Sequence, residues 1–174
     1  MDAVCVSGGE PTLQPGLAEL LAQIKELGFF VKLDTNGSRP AVLKQLVADG
    51  LVDYVAMDVK NSPTLYAQTT GLPQIQLKNI EESLQFLFSG MVDYELRTTL
   101  VAELHDEQSI LEMGQWLQKL ATPKKAKALF LQSFVDRESV LFAGLHAPDA
   151  DTLQKYTEIL TPYVEKVSVR GTET

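Results

Sequence analysis

The chain has 174 residues, of which 45% are hydrophobic and 22% charged, a balance that suits one folded domain and excludes wholesale disorder. The net charge of -8 argues against nucleic-acid and anionic-membrane partners, which need clustered Lys and Arg. A single cysteine excludes an internal disulfide and a four-cysteine metal site. No basic leader opens the chain and no apolar run approaches the roughly 20 residues of a membrane span, so we expect a cytoplasmic protein.

Short apolar runs alternate with helical patterns along the chain. In chain order the pattern predicts a strand over 3–7, a helix over 17–27, a strand over 29–33, a helix over 40–51, a strand over 52–59, a polar connection over 61–78, a helix over 79–90, a strand over 94–101, a helix over 106–120, a strand over 126–134, a helix over 149–164 that bends near Pro162, and a strand over 167–169. This alternation favours an α/β fold with a parallel sheet. Because the chain begins within a strand, we expect sequence to be missing upstream.

Several single residues carry local predictions. Gly28 should end the first helix, while Asn79 and Asp106 should cap later ones. Cys5 is expected to be a small buried apolar residue. His105 and His146 lie in polar segments and are expected at the surface, whereas Trp116 is expected in the core.

Charged and hydroxyl residues lie within the carboxyl-terminal part of the predicted strands or directly after them. The motifs are 7-SGGEPT-12, 34-DTNG-37, 58-DVK-60, 97-RTT-99 and 132-QS-133. Ligands of parallel α/β folds bind at the carboxyl ends of strands, so these motifs predict one site. The alternative is that strand ends are polar because they meet water.

The loop at Gly8 and Gly9 can bend sharply and approach a ligand closely, since neither residue has a Cβ atom. Pro11 fixes the chain after Glu10, whose carboxylate and nearby carbonyls could hold an ammonium group. The alternative is a plain strand-to-helix turn with an acidic residue near the helix dipole.

Asp34, Thr35 and Asp58 could bind a monovalent cation through their oxygens. The Asn36–Gly37 pair also suits a simple turn. Lys60 and Arg97 could hold a ligand carboxylate, or could form structural ion pairs with Asp34 or Asp58.

In their order and spacing these motifs resemble those of the radical S-adenosylmethionine (SAM) activating enzymes. The segments 6-VSGGEP-11, 33-LDTNG-37, 57-MDVK-60 and 96-LRTT-99 carry the resemblance. It is greatest to the branch that activates anaerobic ribonucleoside-triphosphate reductase, with the pyruvate formate-lyase activating branch close behind. The resemblance covers nearly the whole chain and implies a single domain over 1–174, a partial (β/α)6 TIM-like barrel lacking its first strand and cluster loop.

The resemblance also implies residue roles. Gly8, Gly9 and Glu10 would contact the amino group of SAM, Lys60 and Arg97 its carboxylate or ribose side, and Gln132 its adenosine side. Asp34, Thr35 and Asp58 would line the methionine end and a monovalent cation. The implied partners are a glycyl-radical enzyme and an electron donor such as flavodoxin or ferredoxin.

The chain departs from the family in lacking the Cys-x3-Cys-x2-Cys loop that binds a [4Fe–4S] cluster. We therefore expect the cluster only in a full-length parent, and expect this chain to be inactive. An open barrel edge near Val4 and Val6 could promote self-association. Two alternatives stay open: a radical enzyme acting on a small molecule, such as a 7-carboxy-7-deazaguanine synthase, and a non-catalytic SAM-binding scaffold.

Overall fold

A computed structural model describes residues 2–136 and 143–171. The elements in chain order are β1 (Ala3–Val6), a 3-10 helix (Pro11–Leu13), α1 (Leu17–Glu26), β2 (Phe30–Thr35), α2 (Pro40–Ala48), β3 (Tyr54–Asp58), α3 (Tyr66–Thr70), α4 (Leu77–Phe88), β4 (Asp93–Leu100), α5 (Glu107–Ala121), β5 (Leu129–Ser133), α6 (Ala150–Leu160) and β6 (Val167–Arg170). The six strands are hydrogen-bonded in chain order in one sheet. The predicted α/β class is confirmed.

The chain consists of two compact units. The first comprises residues 1–58 and 76–96, and the second comprises residues 59–75 and 97–174. None of the helices within the described part of the chain has both the length and the apolarity needed to cross a bilayer.

In the first unit, β2 pairs in parallel with β1 and with β3. Its side chains alternate, so that Val31, Leu33 and Thr35 are buried while the residues between them are more exposed. Leu33 and Val55 are fully buried, and each stabilises the fold by about 1.5–3 kcal/mol relative to an exposed side chain. The strand therefore has one apolar face and one polar face.

Two local predictions in this unit are wrong. Helix α4 begins at Leu77 with Gln76 as its cap, and Asn79 lies in the first turn, where its amide donates to the Ser38 carbonyl at 3.1 Å. Cys5 is exposed rather than buried, because it lies on the polar face of β1, the strand at the end of the sheet order. Val4 and Val6, on the other face, are half-buried.

In the second unit, β5 and β6 pair in parallel. The predicted cap of α5 is confirmed, since the Asp106 carboxylate accepts the Ser109 N–H at 2.7 Å in a reciprocal capping box. Trp116 is buried as expected and makes an edge-on contact with Tyr66, with ring centroids 6.1 Å apart. Helix α6 ends at Leu160, before Pro162.

Candidate ligand-binding site at the strand ends

Glu10 joins the loop after β1 to the loop after β2. Its Oε1 atom accepts hydrogen bonds from Thr12 N (3.1 Å), Thr12 Oγ1 (2.6 Å) and Thr35 Oγ1 (2.8 Å), and its Oε2 atom accepts the Asn36 N–H at 2.6 Å. The residue is only 7% exposed. Hydrogen bonds to an ionised carboxylate are among the stronger ones in proteins, so Glu10 fixes both loops.

Two glycines precede Glu10 in an exposed turn. Gly8 and Gly9 have φ values of +102° and +51°, which side chains rarely adopt, and no atom lies within 4 Å of where a Cβ would be. An exposed backbone turn thus precedes a carboxylate that is fixed by four hydrogen bonds.

The Asn36–Gly37 turn packs closely against its neighbours. Gly37 has φ +74°, and a Cβ there would meet the Met57 thioether, with Sδ at 2.9 Å, and would lie 3.3 Å from Ser83 Cβ. Ser83 Oγ donates to the Gly37 carbonyl at 2.7 Å. The turn is thus both a sequence-encoded bend and a point of tight packing.

The polar face of the first unit bears a cluster centred on Lys32. Its Nζ atom lies 3.6 Å from Asp34 Oδ1 and 3.3 Å from Glu95 Oε1. The Tyr54 hydroxyl lies 3.4 Å from Glu95 Oε2, and the Cys5 thiol 3.6 Å from Asp34 Oδ1. Lys32, Tyr54 and Glu95 were not among the predicted site residues. Lys32 is two residues from Asp34, Tyr54 four from Asp58 and Glu95 two from Arg97, so that alternation along each strand could have indicated them.

Asp34 and Thr35 are consecutive in β2, so their side chains point to opposite faces. The Thr35 hydroxyl donates to Glu10, whereas the Asp34 carboxylate lies beside Lys32. A cation at Asp34 would thus not be reached by the Thr35 hydroxyl. Across residues 2–136 and 143–171, no three His, Cys, Asp or Glu side chains are grouped to hold a metal ion. The monovalent cation at Asp34, Thr35 and Asp58 stays a prediction.

In the second unit, Lys60 and Arg97 lie on neighbouring segments. The Val59 N–H donates to the Arg97 carbonyl at 2.8 Å, and both cationic side chains are half-buried. Gln132 lies near the end of β5, in register with Arg170 of β6, and is also half-buried. Lys60 lies two residues beyond β3 and Gln132 is the penultimate residue of β5, whereas Arg97 lies within β4, three residues before its end.

The prediction for His105 is wrong, because the residue is only 3% exposed. Its Nε2 atom lies 2.9 Å from the Lys60 carbonyl oxygen, and its Nδ1 atom lies 3.2 Å from the Val101 nitrogen and 3.1 Å from the Val101 carbonyl oxygen. Burial lowers the pKa of His105, outweighing the hydrogen bonds to Lys60 and Val101 that raise it. The polar neighbours in the sequence suggested a surface loop, but the backbone groups of that loop needed an internal partner.

His146 is at the surface, as predicted. Its side chain is 73% exposed and its Nδ1 atom lies 2.6 Å from Glu103 Oε1. The hydrogen bonds from His146 lower the pKa of Glu103. This exposed pair lies outside the predicted site.

Comparison with known proteins shows the family to which the chain belongs. The model of the radical SAM superfamily matches residues 1–112, and the chain belongs to that superfamily. The protein MJ1227 of Methanocaldococcus jannaschii is named as a glycyl-radical enzyme activating enzyme. It is 33% identical over 97% of this chain and 70% of its own length. A domain of the pyruvate-formate lyase-activating enzyme from Bacteroides vulgatus shares the fold, with a TM-score of 0.76 at 22% identity over 98% of this chain and 100% of that one. The 7-carboxy-7-deazaguanine synthase of Neisseria meningitidis is 42% identical, but over 33% of this chain and 24% of its own length.

Proposed function

We propose that residues 1–174 act as one radical SAM domain that binds S-adenosylmethionine at the strand ends. The observation that carries the proposal is the open Gly8–Gly9 backbone beside the Glu10 carboxylate, which fixes the neighbouring loop. An amino group needs acceptors of this kind. When bound, SAM supplies the 5′-deoxyadenosyl group that the family uses as a radical source.

The other residues take the roles that the family motifs imply. Lys60 and Arg97 hold the ligand's carboxylate or ribose side, and Gln132 contacts the adenosine side. Asp34 and Asp58 line the methionine end, while Thr35 contributes by holding the Glu10 carboxylate through its hydroxyl. Acidic and cationic groups on successive strand ends match a ligand that carries an ammonium and a carboxylate.

The iron–sulfur cluster does not fit the residues present. A [4Fe–4S] cluster of this family needs three thiolates, and the sequence contains one cysteine, Cys5, whose thiol lies against Asp34. We therefore assign ligand binding to these 174 residues and no reductive cleavage of SAM.

We further propose that the cluster-bearing form of the protein is a cytoplasmic oxidoreductase that activates a glycyl-radical enzyme, either an anaerobic ribonucleotide reductase or a pyruvate formate-lyase-like protein. Flavodoxin or ferredoxin is the proposed electron donor. The support is MJ1227, since its similarity runs through 97% of the chain rather than through the shared motifs alone.

Calorimetric titration of the chain with SAM tests ligand binding. We expect saturable binding that Gly9→Ala weakens about tenfold or more, because a side chain strains the positive φ of a loop that approaches the ligand. Gly50→Ala is the matched control. Gly50 has φ +69° and open space around it, but it precedes β3 and so does not lie at the carboxyl end of a strand. The absence of binding by the unaltered chain would contradict the proposal.

A second experiment tests the activating role. The gene is read upstream of codon 1 for an in-frame three-cysteine loop, and a protein that includes it is purified anaerobically. Incubation with SAM, a reductant and a candidate partner should give the electron paramagnetic resonance signal of a glycyl radical on that partner. An intact cluster with no such signal would favour the alternative below.

The second candidate function is action on a small molecule in the manner of a 7-carboxy-7-deazaguanine synthase. The observation that favours it is the 42% identity over 57 residues. That match covers a third of the chain and is the weaker support. If neither role is found and no cysteine loop precedes the chain, a SAM-binding scaffold is the remaining function.

A further inference from the structure

A buried histidine contacts the segment that carries Lys60. The carbonyl oxygen of Lys60 can only accept a hydrogen bond, so the His105 Nε2 atom, at 2.9 Å, must bear the hydrogen. In the neutral ring Nδ1 then carries no hydrogen and accepts the Val101 N–H at 3.2 Å, while the Val101 carbonyl oxygen, 3.1 Å away, would accept a hydrogen bond from Nδ1 only in the protonated ring. The Tyr156 hydroxyl donates to the His105 carbonyl at 2.7 Å and holds the residue in place from α6.

The residues on both sides of Lys60 are fixed as well. The Val59 N–H donates to the Arg97 carbonyl at 2.8 Å. The Asn61 side-chain amide donates to the Leu104 carbonyl at 2.7 Å. The contact from His105 fixes the one residue between them, so three successive residues beyond β3 are held by the segment that begins with β4.

We propose that His105 is a positioning residue, whose Nε2–H holds the Lys60 backbone and thereby sets where the Lys60 ammonium lies at the ligand site. The inference rests on the proposed function, in which Lys60 contacts the carboxylate side of SAM. A lysine side chain has four rotatable bonds, so a fixed backbone reduces the freedom that binding must remove. Charged groups at binding sites act best when the surrounding residues hold them in place.

Three substitutions of His105 test its contact with Lys60 separately from its contact with Val101. Glutamine places an N–H group where Nε2 lies, so His105→Gln should keep the bond to Lys60. Asparagine places its amide where Nδ1 lies, so His105→Asn should keep the Val101 contact and lose the Lys60 contact. His105→Leu fills the space and makes neither bond.

Calorimetric titration with SAM gives the first readout. We expect His105→Asn and His105→Leu to weaken binding about five- to tenfold, the effect of one lost hydrogen bond, and His105→Gln to bind within about twofold of the unaltered chain. His146→Gln is the matched control on the exposed histidine and should leave the dissociation constant unchanged. In a Lys60→Met background, His105→Asn should have no further effect on affinity.

A purely structural role for His105 predicts a different pattern. All three substitutions would then lower the melting temperature without the graded change in affinity, and the effect of His105→Asn would persist in the Lys60→Met background. Either result would overturn the proposal.

Nitrogen-15 NMR of the imidazole gives a readout that does not need SAM. We expect a neutral ring with hydrogen on Nε2 at pH 7, and faster amide exchange at residues 59–61 in His105→Asn than in His105→Gln. If the unaltered chain binds no SAM, the proposed function fails, while this measurement still decides on His105. A ring protonated on Nδ1, or equal exchange in the two variants, would refute the positioning role.

Discussion

Replacing Glu10 with glutamine should destabilise the first unit, because all four donors around this residue require an acceptor. The glutamine amide can keep its oxygen toward Thr12 and Thr35, but its NH2 group must then face the Asn36 N–H, which now lies 2.6 Å from Oε2. A hydrogen bond to a charged group contributes roughly 1.5–3 kcal/mol, and an unsatisfied buried donor costs a comparable amount. We expect a loss of about 3 kcal/mol in the free energy of unfolding.

Urea unfolding followed by circular dichroism measures this loss. With a slope of roughly 2 kcal/mol per M, the midpoint should fall by about 1.5 M. Hydrogen exchange gives a local readout, since 3 kcal/mol corresponds to an acceleration of roughly 100-fold at the Asn36 amide. Glu19→Gln, on the exposed side of α1, is the control and should change neither value. Equal urea midpoints for the two variants would refute the inference that Glu10 holds the loop after β1 and the loop after β2 together.

Three other predictions follow from the same structure. Gly37→Ala should lower the free energy of unfolding by about 2 kcal/mol or more in urea melts, because the positive φ and the clash with Met57 add together. Gly50→Ala should cost only about 1 kcal/mol, since Gly50 has a positive φ but open space around it. Equal losses would mean that the clash at Gly37 costs nothing. Lys32→Met and Glu95→Gln should show a coupling of about 1 kcal/mol in a double-mutant cycle, and additive effects would mean that the 3.3 Å pair contributes nothing. Burial lowers the pKa of His105, so the unfolded chain binds the proton more readily than the folded chain. The contribution of His105 to stability should therefore be complete above about pH 6.5 and should be lost as the pH falls toward the pKa of the folded state. Urea melts over a pH series measure this, and an equal dependence of stability on pH in His105→Gln would refute it.

The sequence was informative where a residue's own conformation or hydrophobicity decides the outcome. Within residues 2–136 and 143–171, apolar runs and helical spacing located all six strands and the five longer helices. Gly28 ends α1 with φ +84°, and Asp106 caps α5, because these residue types suit those backbone positions intrinsically.

The sequence was misleading where a residue's partner is distant along the chain. Asn79 has the chemistry of a cap, but it donates to Ser38, 41 residues earlier, and the helix begins before it. Cys5 lies in an apolar run that predicts burial, yet a strand buried on one face leaves alternate residues on the other. The Lys32–Glu95 pair spans 63 residues, and no local pattern indicates it.

The contacts of Glu10 differ from those that the sequence led us to expect. A carboxylate offers about four lone-pair positions; Oε1 of Glu10 already accepts three hydrogen bonds and Oε2 accepts one. Its negative charge still favours an ammonium group nearby, since the residue is shielded from water and charges there are weakly screened. Because Glu10 is only 7% exposed, the carbonyls of the exposed Gly8–Gly9 turn, which are the nearest in sequence, are the more accessible acceptors for the ligand's amino group. Glu10 would thus act on the ligand by its charge and by fixing the loops, and the glycines by direct contact.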